Sequence, residues 1–153
     1  MLAFADKLFN VTERHANDIS EQWCKAVKSN PRTPVLHALS SEKCMEFAVE
    51  FYKDLRQIYF DEPPYKRVER YFDQYAADRF REGLPLHEAL YALIMLRRHM
   101  WLYAEFQAIF MTALDQYKAV ESITRTIRLF DQGIYIISKK YGELEKARKA
   151  GGS

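Results

Sequence analysis

The stretch REGLPLHEALYALIMLRRHMWLY, residues 81–103, decides the fold of this chain. Residues 90–96 are apolar without interruption, and the run ends at Arg97 and Arg98 before apolar and aromatic residues resume. A helix that is apolar on most of its circumference is normally central and packs against neighbours on several sides. We therefore predict that residues 84–114 form the central helix of an all-α domain.

Arg97 and Arg98 fit a central helix in two ways. They lie where the helix leaves the core, with packed stems and charged heads in water, or one of them is buried against a carboxylate. Because charged groups are rarely buried without a partner, we expect the exposed arrangement. The candidate carboxylates for the buried arrangement are Asp73, Asp78 and Glu105.

The composition favours a single helical domain. The chain has 153 residues, which is a usual length for one domain with its own hydrophobic core. Only five Gly and five Pro in the whole sequence argue against a loop-rich or all-β protein. We expect residues 1–150 to form one domain, and we interpret the terminal Gly-Gly-Ser at residues 151–153 as an expression scar or the start of a linker.

Charge, hydropathy and cysteine content limit the partners and the compartment. A formal net charge of +2 is too small to predict a nucleic-acid partner. Charges at Asp6 and Lys7 come too early for a signal peptide, and the apolar run at residues 90–96 is far shorter than the ~20 residues of a membrane span. Cys24 and Cys44 could pair but are better interpreted as buried thiols of a reducing compartment. We expect a cytoplasmic protein without a membrane partner.

Helix-start and helix-stop signals divide the rest of the chain. Apolar spacing predicts one helix over residues 2–29 and a short helix within TPVLHAL at residues 33–39. A regular i, i+3, i+4 stripe predicts a further helix that starts at residues 40–41 and ends at the DEPP sequence, residues 61–64. The helix after it is expected to end at Gly83, in the position of a left-handed C-cap.

Seven apolar residues of the last helix alternate spacings of four and three. This is a 3.5-residue repeat over three heptads, which is typical of a coiled coil or a helix-bundle seam. We predict that it forms a homodimer interface, and that the charged tail at residues 139–150 continues as a helix beyond the domain. The predicted interface residues are Ile123, Ile127, Phe130, Ile134, Ile137, Tyr141 and Leu144.

The sequence contains no catalytic or metal-binding motif. Its five glycines form no phosphate-binding loop, and there is no G-x-S-x-G elbow. Its four histidines form no H-x-x-x-H pair and no E-x-x-H repeat. We therefore expect neither an enzyme nor a metal site.

The aromatic content leaves two ligand hypotheses open. Ten Phe, ten Tyr and two Trp are more than a helical core requires, so a pocket for a small apolar ligand is one interpretation, although dense core packing is favoured. A haem held by one axial imidazole is the alternative, with His99 and His37 as candidate ligands, although there is no C-x-x-C-H attachment motif. Otherwise no cofactor is expected. The residues expected to line an apolar pocket are Phe51, Leu93, Met100 and Trp101.

Three segments together resemble a known family. They are ISEQWCKAV at residues 19–27, the RTP turn at residues 32–34, and FREGLPLHEALYALIMLRRHMW at residues 80–101, with a closing helix that runs into a charged tail. These segments are similar to the amino-terminal domain of RsbR-type RsbT co-antagonists, sensory proteins of the bacterial stressosome whose domain is also found fused to histidine kinases. The similarity covers most of residues 2–149.

The resemblance implies both a fold and a function. The implied fold is a globin-like bundle of about five to six helices that binds no haem in its best-known members and forms homodimers through its terminal helices. A long C-terminal signalling helix would relay a stimulus to an output domain of kinase or STAS type, which residues 1–150 do not contain. We therefore expect a non-catalytic sensory domain of bacterial signal transduction. The alternatives are a haem-binding gas or redox sensor, and an adaptor without ligand that contacts partner proteins through Tyr59, Phe60 and Tyr65.

Overall fold

The structure, a computed structural model, describes residues 2–106 and 113–151. These ranges contain six α-helices, one short 3-10 helix and no strand, so the predicted all-α bundle with a long C-terminal helix is confirmed. None of the helices in the described ranges has the length and apolarity that a membrane span requires. The elements are α1 (Leu2–Arg14), α2 (Ala16–Ser29), the 3-10 helix (Val35–Ala38), α3 (Ser41–Tyr59), α4 (Lys66–Arg81), α5 (Leu86–Phe106) and α6 (Ala113–Gly151).

The prediction of one helix over residues 2–29 is wrong, because the chain bends at His15. The backbone of this residue has φ −110° and ψ 23°, outside the helical range. Hydrogen bonds nevertheless continue across the bend, from the His15 amide to the Val11 carbonyl and from the Ile19 amide to the His15 carbonyl, both at 3.0 Å. Both helices pack on α3 and α5, but α1 also contacts α6, whereas α2 contacts the 3-10 helix.

The predicted helix boundaries rest on identifiable caps. The Ser40 hydroxyl accepts a hydrogen bond from the Lys43 amide at 3.2 Å and caps α3. Gly83 has φ +80°, which confirms the left-handed position predicted after α4. The cap at the start of α4 was not predicted: the Asp61 carboxylate accepts hydrogen bonds from the amides of Arg67 and Val68 at 2.9 and 3.1 Å.

Helix α5 is central, as predicted, although the predicted segment is longer than α5. Residues 107–112 lie outside the described residues, and α6 begins at Ala113. Buried aromatic side chains from three other helices donate hydrogen bonds to carbonyl groups of α5, so each ring buries its apolar surface and still satisfies its polar tip. These bonds join Trp23 Nε1 to Ala92 O (3.1 Å), Tyr52 Oη to Leu96 O (2.7 Å) and Tyr75 Oη to Ala89 O (3.0 Å).

The arginines that end the apolar run of α5 adopt the expected exposed arrangement. Arg98 is exposed, and Arg97 is half-buried with its guanidinium carbon 5.6 Å from the centre of the Phe130 ring. The ring face therefore supplies the packing for the Arg97 side chain.

Two of the three candidate carboxylates pair with other cations. Asp73 contacts Lys140 at 3.5 Å, and Asp78 contacts Arg81 at 2.8 Å. The side chain of Glu105, the third candidate, lies outside the described part of the chain. The buried arrangement is therefore not supported at Asp73 or Asp78.

Helices α4 and α6 share the most extensive contact in the bundle. At its centre Gly133 of α6 lies against the fully buried ring of Phe72 from α4. A Cβ atom at position 133 would lie 2.8 Å from two carbons of that ring, closer than a normal van der Waals contact. The absence of a side chain at Gly133 therefore permits this helix packing.

We predict opposite effects for alanine at the two interior glycines of α6. Gly133→Ala would overpack the Phe72 ring and lower the free energy of unfolding by about 1–3 kcal/mol. Gly142→Ala is the matched control, because an added Cβ meets no atom within 4 Å there, and helix propensity should raise stability by up to about 1 kcal/mol. Chemical denaturation followed by circular dichroism measures both, and equal effects of the two changes would contradict the packing argument.

Candidate functional site

The predicted interface ridge of α6 is divided between the core and the surface. Phe130, Ile137 and Tyr141 are at most 3% exposed and pack inside their own subunit, so their assignment to a dimer interface is wrong. A 3.5-residue repeat also suits packing within one bundle, and here the neighbour of this half of the ridge is α4 of the same chain. Ile134 and Leu144 are half-buried at the margin of this contact.

Tyr141 illustrates the intramolecular role of this half of the ridge. Its hydroxyl donates a hydrogen bond to the Leu84 carbonyl at 2.8 Å, and its ring meets the edge of the Phe80 ring at a centroid distance of 5.4 Å. Burial raises the pKa of the Tyr141 phenol to about 12. The residue therefore joins α6 to the turn that precedes α5.

The first half of α6 carries an exposed apolar face. Tyr117 is 80% exposed, Val120 63%, Ile127 44% and Ile123 39%, and all four lie within three turns of one helix. Ile123 and Ile127 belong to the predicted interface, whereas Tyr117 and Val120 were missed. Val120 lies one heptad before Ile127, so extending the repeat toward the amino terminus would have found it.

The four residues predicted to line an apolar pocket share no cleft in the part of the chain that the structure describes. Phe51, Leu93 and Met100 are at most 1% exposed within the hydrophobic core, and Trp101 is half-buried at its edge. Their packing corresponds to the dense core that sequence analysis favoured. Only Phe51 lines one of the clefts described below.

A groove between α3 and α4 contains two adjoining clefts. One cleft of about 380 Å³ extends toward Trp23, Leu36 and Ala92, and the other, of about 300 Å³, extends toward Phe51 and Tyr71. We call the two together the α3–α4 groove. The side chains that line both clefts are Phe47, Glu50, Tyr75 and Arg79.

Arg79 stands at the junction of the two clefts. Its guanidinium carbon lies 4.3 Å from the centre of the Phe47 ring and 5.2 Å from that of Tyr75. The same guanidinium donates two hydrogen bonds of 2.9 Å to the Glu82 carboxylate. Although burial alone would lower the pKa of Arg79, the carboxylate raises it above its ordinary value. This cation is therefore held by both aromatic faces and a carboxylate.

Carboxylates outnumber cations in the cleft next to Tyr71. Glu50, Asp54 and Asp78 line it, and Arg79 is its single cationic side chain among the described lining residues. Asp78 already contacts Arg81, whereas Glu50 and Asp54 form no ion pair with residues of the described ranges. Partial burial raises the pKa of Asp54. The cleft therefore has a negative rim above an aromatic floor.

A third cleft, of about 480 Å³, lies between the α3–α4 connection and α6. Its walls include Asp61, Tyr65, Glu121, Arg125 and Arg128, in which acidic and basic groups balance. The Asp61 carboxylate is occupied in capping α4. This cleft therefore offers no predominant charge to a ligand.

The two candidate haem ligands lie in different environments. His37 is exposed on the 3-10 helix, and its Nε2 lies 2.8 Å from the Asn30 carbonyl, so its ring is outside the core. His99 is half-buried on α5, and its buried Nδ1 has no hydrogen-bond partner among the described residues. Burial, with a smaller contribution from Arg98, lowers the pKa of His99.

Cys24 and Cys44 are free and buried, in agreement with their interpretation as buried thiols. A hydrogen bond between the two side chains raises the pKa of Cys24 and lowers that of Cys44. Within residues 2–106 and 113–151, no three His, Cys, Asp or Glu side chains cluster as a metal site would require.

The surface proposed for an adaptor is largely internal. Tyr59 is 4% exposed, and its ring centre lies 4.3 Å from that of Phe9. Phe60 is half-buried, and only Tyr65 of the three is exposed. The expectation that the three residues form a partner-binding surface is therefore wrong.

Two of the segments that carry the family resemblance contact each other. Glu88, from the GLPLHE sequence, is 1% exposed, and its Oε1 accepts hydrogen bonds from the amides of Val35 and Leu36 at 2.9 and 3.4 Å. These amides open the 3-10 helix that follows the RTP turn. The Glu88 carboxylate therefore supplies the cap that this short helix lacks in its own sequence.

The fold and these sites define an all-α domain with an aromatic, acid-rimmed groove and an apolar face on its longest helix. No family model, no curated protein and no solved structure matches the chain. The similarity to RsbR-type domains, including the globin-like comparison, therefore rests on the sequence segments and remains a prediction.

We predict that Tyr141→Phe changes stability and leaves the oligomeric state unchanged. Loss of the hydrogen bond to Leu84 should cost about 1 kcal/mol near neutral pH. Because folding raises the pKa of Tyr141, its neutral phenol contributes fully to stability below the unfolded pKa of about 10. This contribution is lost as the pH rises through the folded pKa of about 12. Between pH 8 and 11 the free energy of unfolding should therefore fall less steeply with pH for the variant than for the wild type. A changed molecular mass in light scattering would instead indicate that Tyr141 belongs to the dimer interface.

Proposed function

We propose that this chain is a non-catalytic sensory domain of bacterial signal transduction that forms a homodimer through the first half of α6 and relays a stimulus along that helix to an output domain. The family resemblance supports the output domain of kinase or STAS type. One observation carries the rest of the proposal: a single helix bears an exposed apolar face, a buried contact with the core and a charged tail.

The length of α6 suits a relay. It has 39 residues and therefore spans roughly 58 Å, longer than the diameter of a small domain. Tyr117, Val120, Ile123 and Ile127 occupy its first half, while Phe130 to Tyr141 pack on α4. A rigid helix that touches both a partner and the core converts repacking at one end into displacement at the other.

A second copy of the chain is the partner that this face fits best. Identical apolar faces are self-complementary about a two-fold axis, which is the commonest arrangement in homodimers. The exposed charges around the face have both signs, with Glu121 and Asp131 on the helix that also carries Arg125 and Arg128. The association of two copies therefore faces no concentrated repulsion between like charges.

Contacts link the α3–α4 groove to α6. Phe51, which lines the groove, has its ring centre 6.1 Å from that of Phe130 on α6. Phe72 of α4 lies against Gly133 at the centre of the α4–α6 contact. A ligand that moves α3 relative to α4 would therefore act on the same segment of α6 from two sides.

The dimer is tested by making the exposed face polar. We expect the wild-type chain to have twice its monomer mass in light scattering, and the triple change Val120→Ser, Ile123→Ser and Ile127→Ser to have the monomer mass with unchanged helicity. Val35→Ser, at an apolar residue that is 44% exposed outside α6, is the matched control and should remain dimeric. A monomeric wild-type chain, or a dimer that survives the triple change, would refute this interface.

Haem binding at His99 is the second candidate function, because its Nδ1 is buried and has no partner among the described residues. If His99 holds haem through one imidazole nitrogen, reconstituted protein shows a Soret band that His99→Ala abolishes. His37→Ala is the control and should leave the spectrum unchanged, because His37 is exposed. A colourless protein after reconstitution would eliminate this candidate.

A further inference from the structure

We infer that the α3–α4 groove binds a small organic cation with a guanidinium head group. The inference rests on the proposed sensory function in one respect, since it names the ligand class of the domain. Binding itself depends only on the geometry of the groove, so it can be measured whether or not the chain forms a dimer.

The floor of the groove consists of aromatic rings. The centres of the Phe47 and Tyr75 rings are 5.8 Å apart, and those of Phe51 and Tyr71 are 6.1 Å apart. All four residues line the cleft of about 300 Å³. The negative face of an aromatic ring attracts a cation, and a planar guanidinium also stacks on it.

Arg79 shows that the groove already holds one guanidinium in this manner. Its head group lies over Phe47 and Tyr75 and binds Glu82, so one ring pair and one carboxylate make a complete cation site. In the neighbouring part of the cleft, the half-buried Tyr71 ring and the carboxylates of Glu50 and Asp54 form the accessible wall, while the Phe51 ring is buried beneath it.

The carboxylates of this neighbouring part are Glu50 and Asp54. They lie four residues apart on α3 and therefore on the same side of that helix. After burial, which contributes most, the negative charges of Asp54 and Glu50 are among the causes that raise the pKa of Tyr71. The charges of both carboxylates thus reach the Tyr71 ring, which is the ring proposed to hold the ligand. Neither carboxylate has an ion-pair partner in the described ranges.

The dimensions of the groove favour a small molecule over a peptide. Each cleft encloses about 300–380 Å³, at the lower end of the range for small-molecule pockets. Arg79 stands between the clefts and interrupts the path that an extended chain would follow. A ligand with one guanidinium and a short alkyl chain fits one cleft.

Isothermal titration calorimetry with butylguanidinium tests the inference, and neutral butylurea, which has a similar shape, serves as the comparison ligand. We expect butylguanidinium to bind the full chain with a dissociation constant below about 1 mM and butylurea to bind roughly tenfold more weakly or not at all, because only the cation gains the charge-assisted hydrogen bonds. The double variant Glu50→Gln and Asp54→Asn should lose roughly tenfold or more in affinity for butylguanidinium. Both changes conserve side-chain shape at positions that are not fully buried, and circular dichroism checks that the variant folds.

Glu69→Gln is the matched control, because Glu69 is an exposed acid of α4 that does not line the groove, and it should bind as the wild type does. No heat with butylguanidinium, equal binding of butylurea, or full affinity in the double variant would each overturn the inference. Binding of an arginine-rich peptide without binding of butylguanidinium would also overturn it, in favour of a peptide site. Cation binding by a monomeric chain would uphold the inference while removing the dimer proposal.

Discussion

The close approach of α4 and α6 at Phe72 and Gly133 is the constraint on which the rest of the molecule depends. Only glycine permits it, since a Cβ atom would lie 2.8 Å from the ring. The approach places the second half of the heptad ridge under α4 and closes the core around Phe130. One face of the first half of α6, with Val120, Ile123 and Ile127, stays exposed in the described residues. The heptad ridge of α6 is thus divided between a core contact and an exposed face.

Much of the fold follows from local signals that a sequence carries without its neighbours. Apolar spacing, the Ser40 cap and the left-handed Gly83 are properties of short segments, and they locate most of the helices. The bend at His15 could not be predicted in this way, because the apolar stripe and most backbone hydrogen bonds continue through it. The heptad repeat of α6 predicts that another helix packs along it but does not identify that helix. The repeat alone therefore does not distinguish packing within one subunit from packing between two subunits.

The candidate site was harder to predict than the fold. Three of the four residues predicted to line an apolar pocket, Phe51, Leu93 and Met100, are instead fully buried in the core. The α3–α4 groove instead combines buried and half-buried aromatic rings with half-buried and exposed acids from two helices, and neither helix alone shows a motif. A partial signal existed in the four-residue spacing of Glu46, Glu50 and Asp54, which aligns three carboxylates along α3. The position of Arg79 over Phe47 depends on the crossing of α3 and α4, which no local pattern specifies.

The donors on Trp23, Tyr52 and Tyr75 have a mechanical consequence for α5. They come from α2, α3 and α4 and reach carbonyl oxygens spread over two turns of α5. Rotation of α5 about its axis, or translation along it, would break several of these hydrogen bonds together and leave buried polar groups without partners. These hydrogen bonds therefore resist both rotation and sliding of α5 relative to α2, α3 and α4.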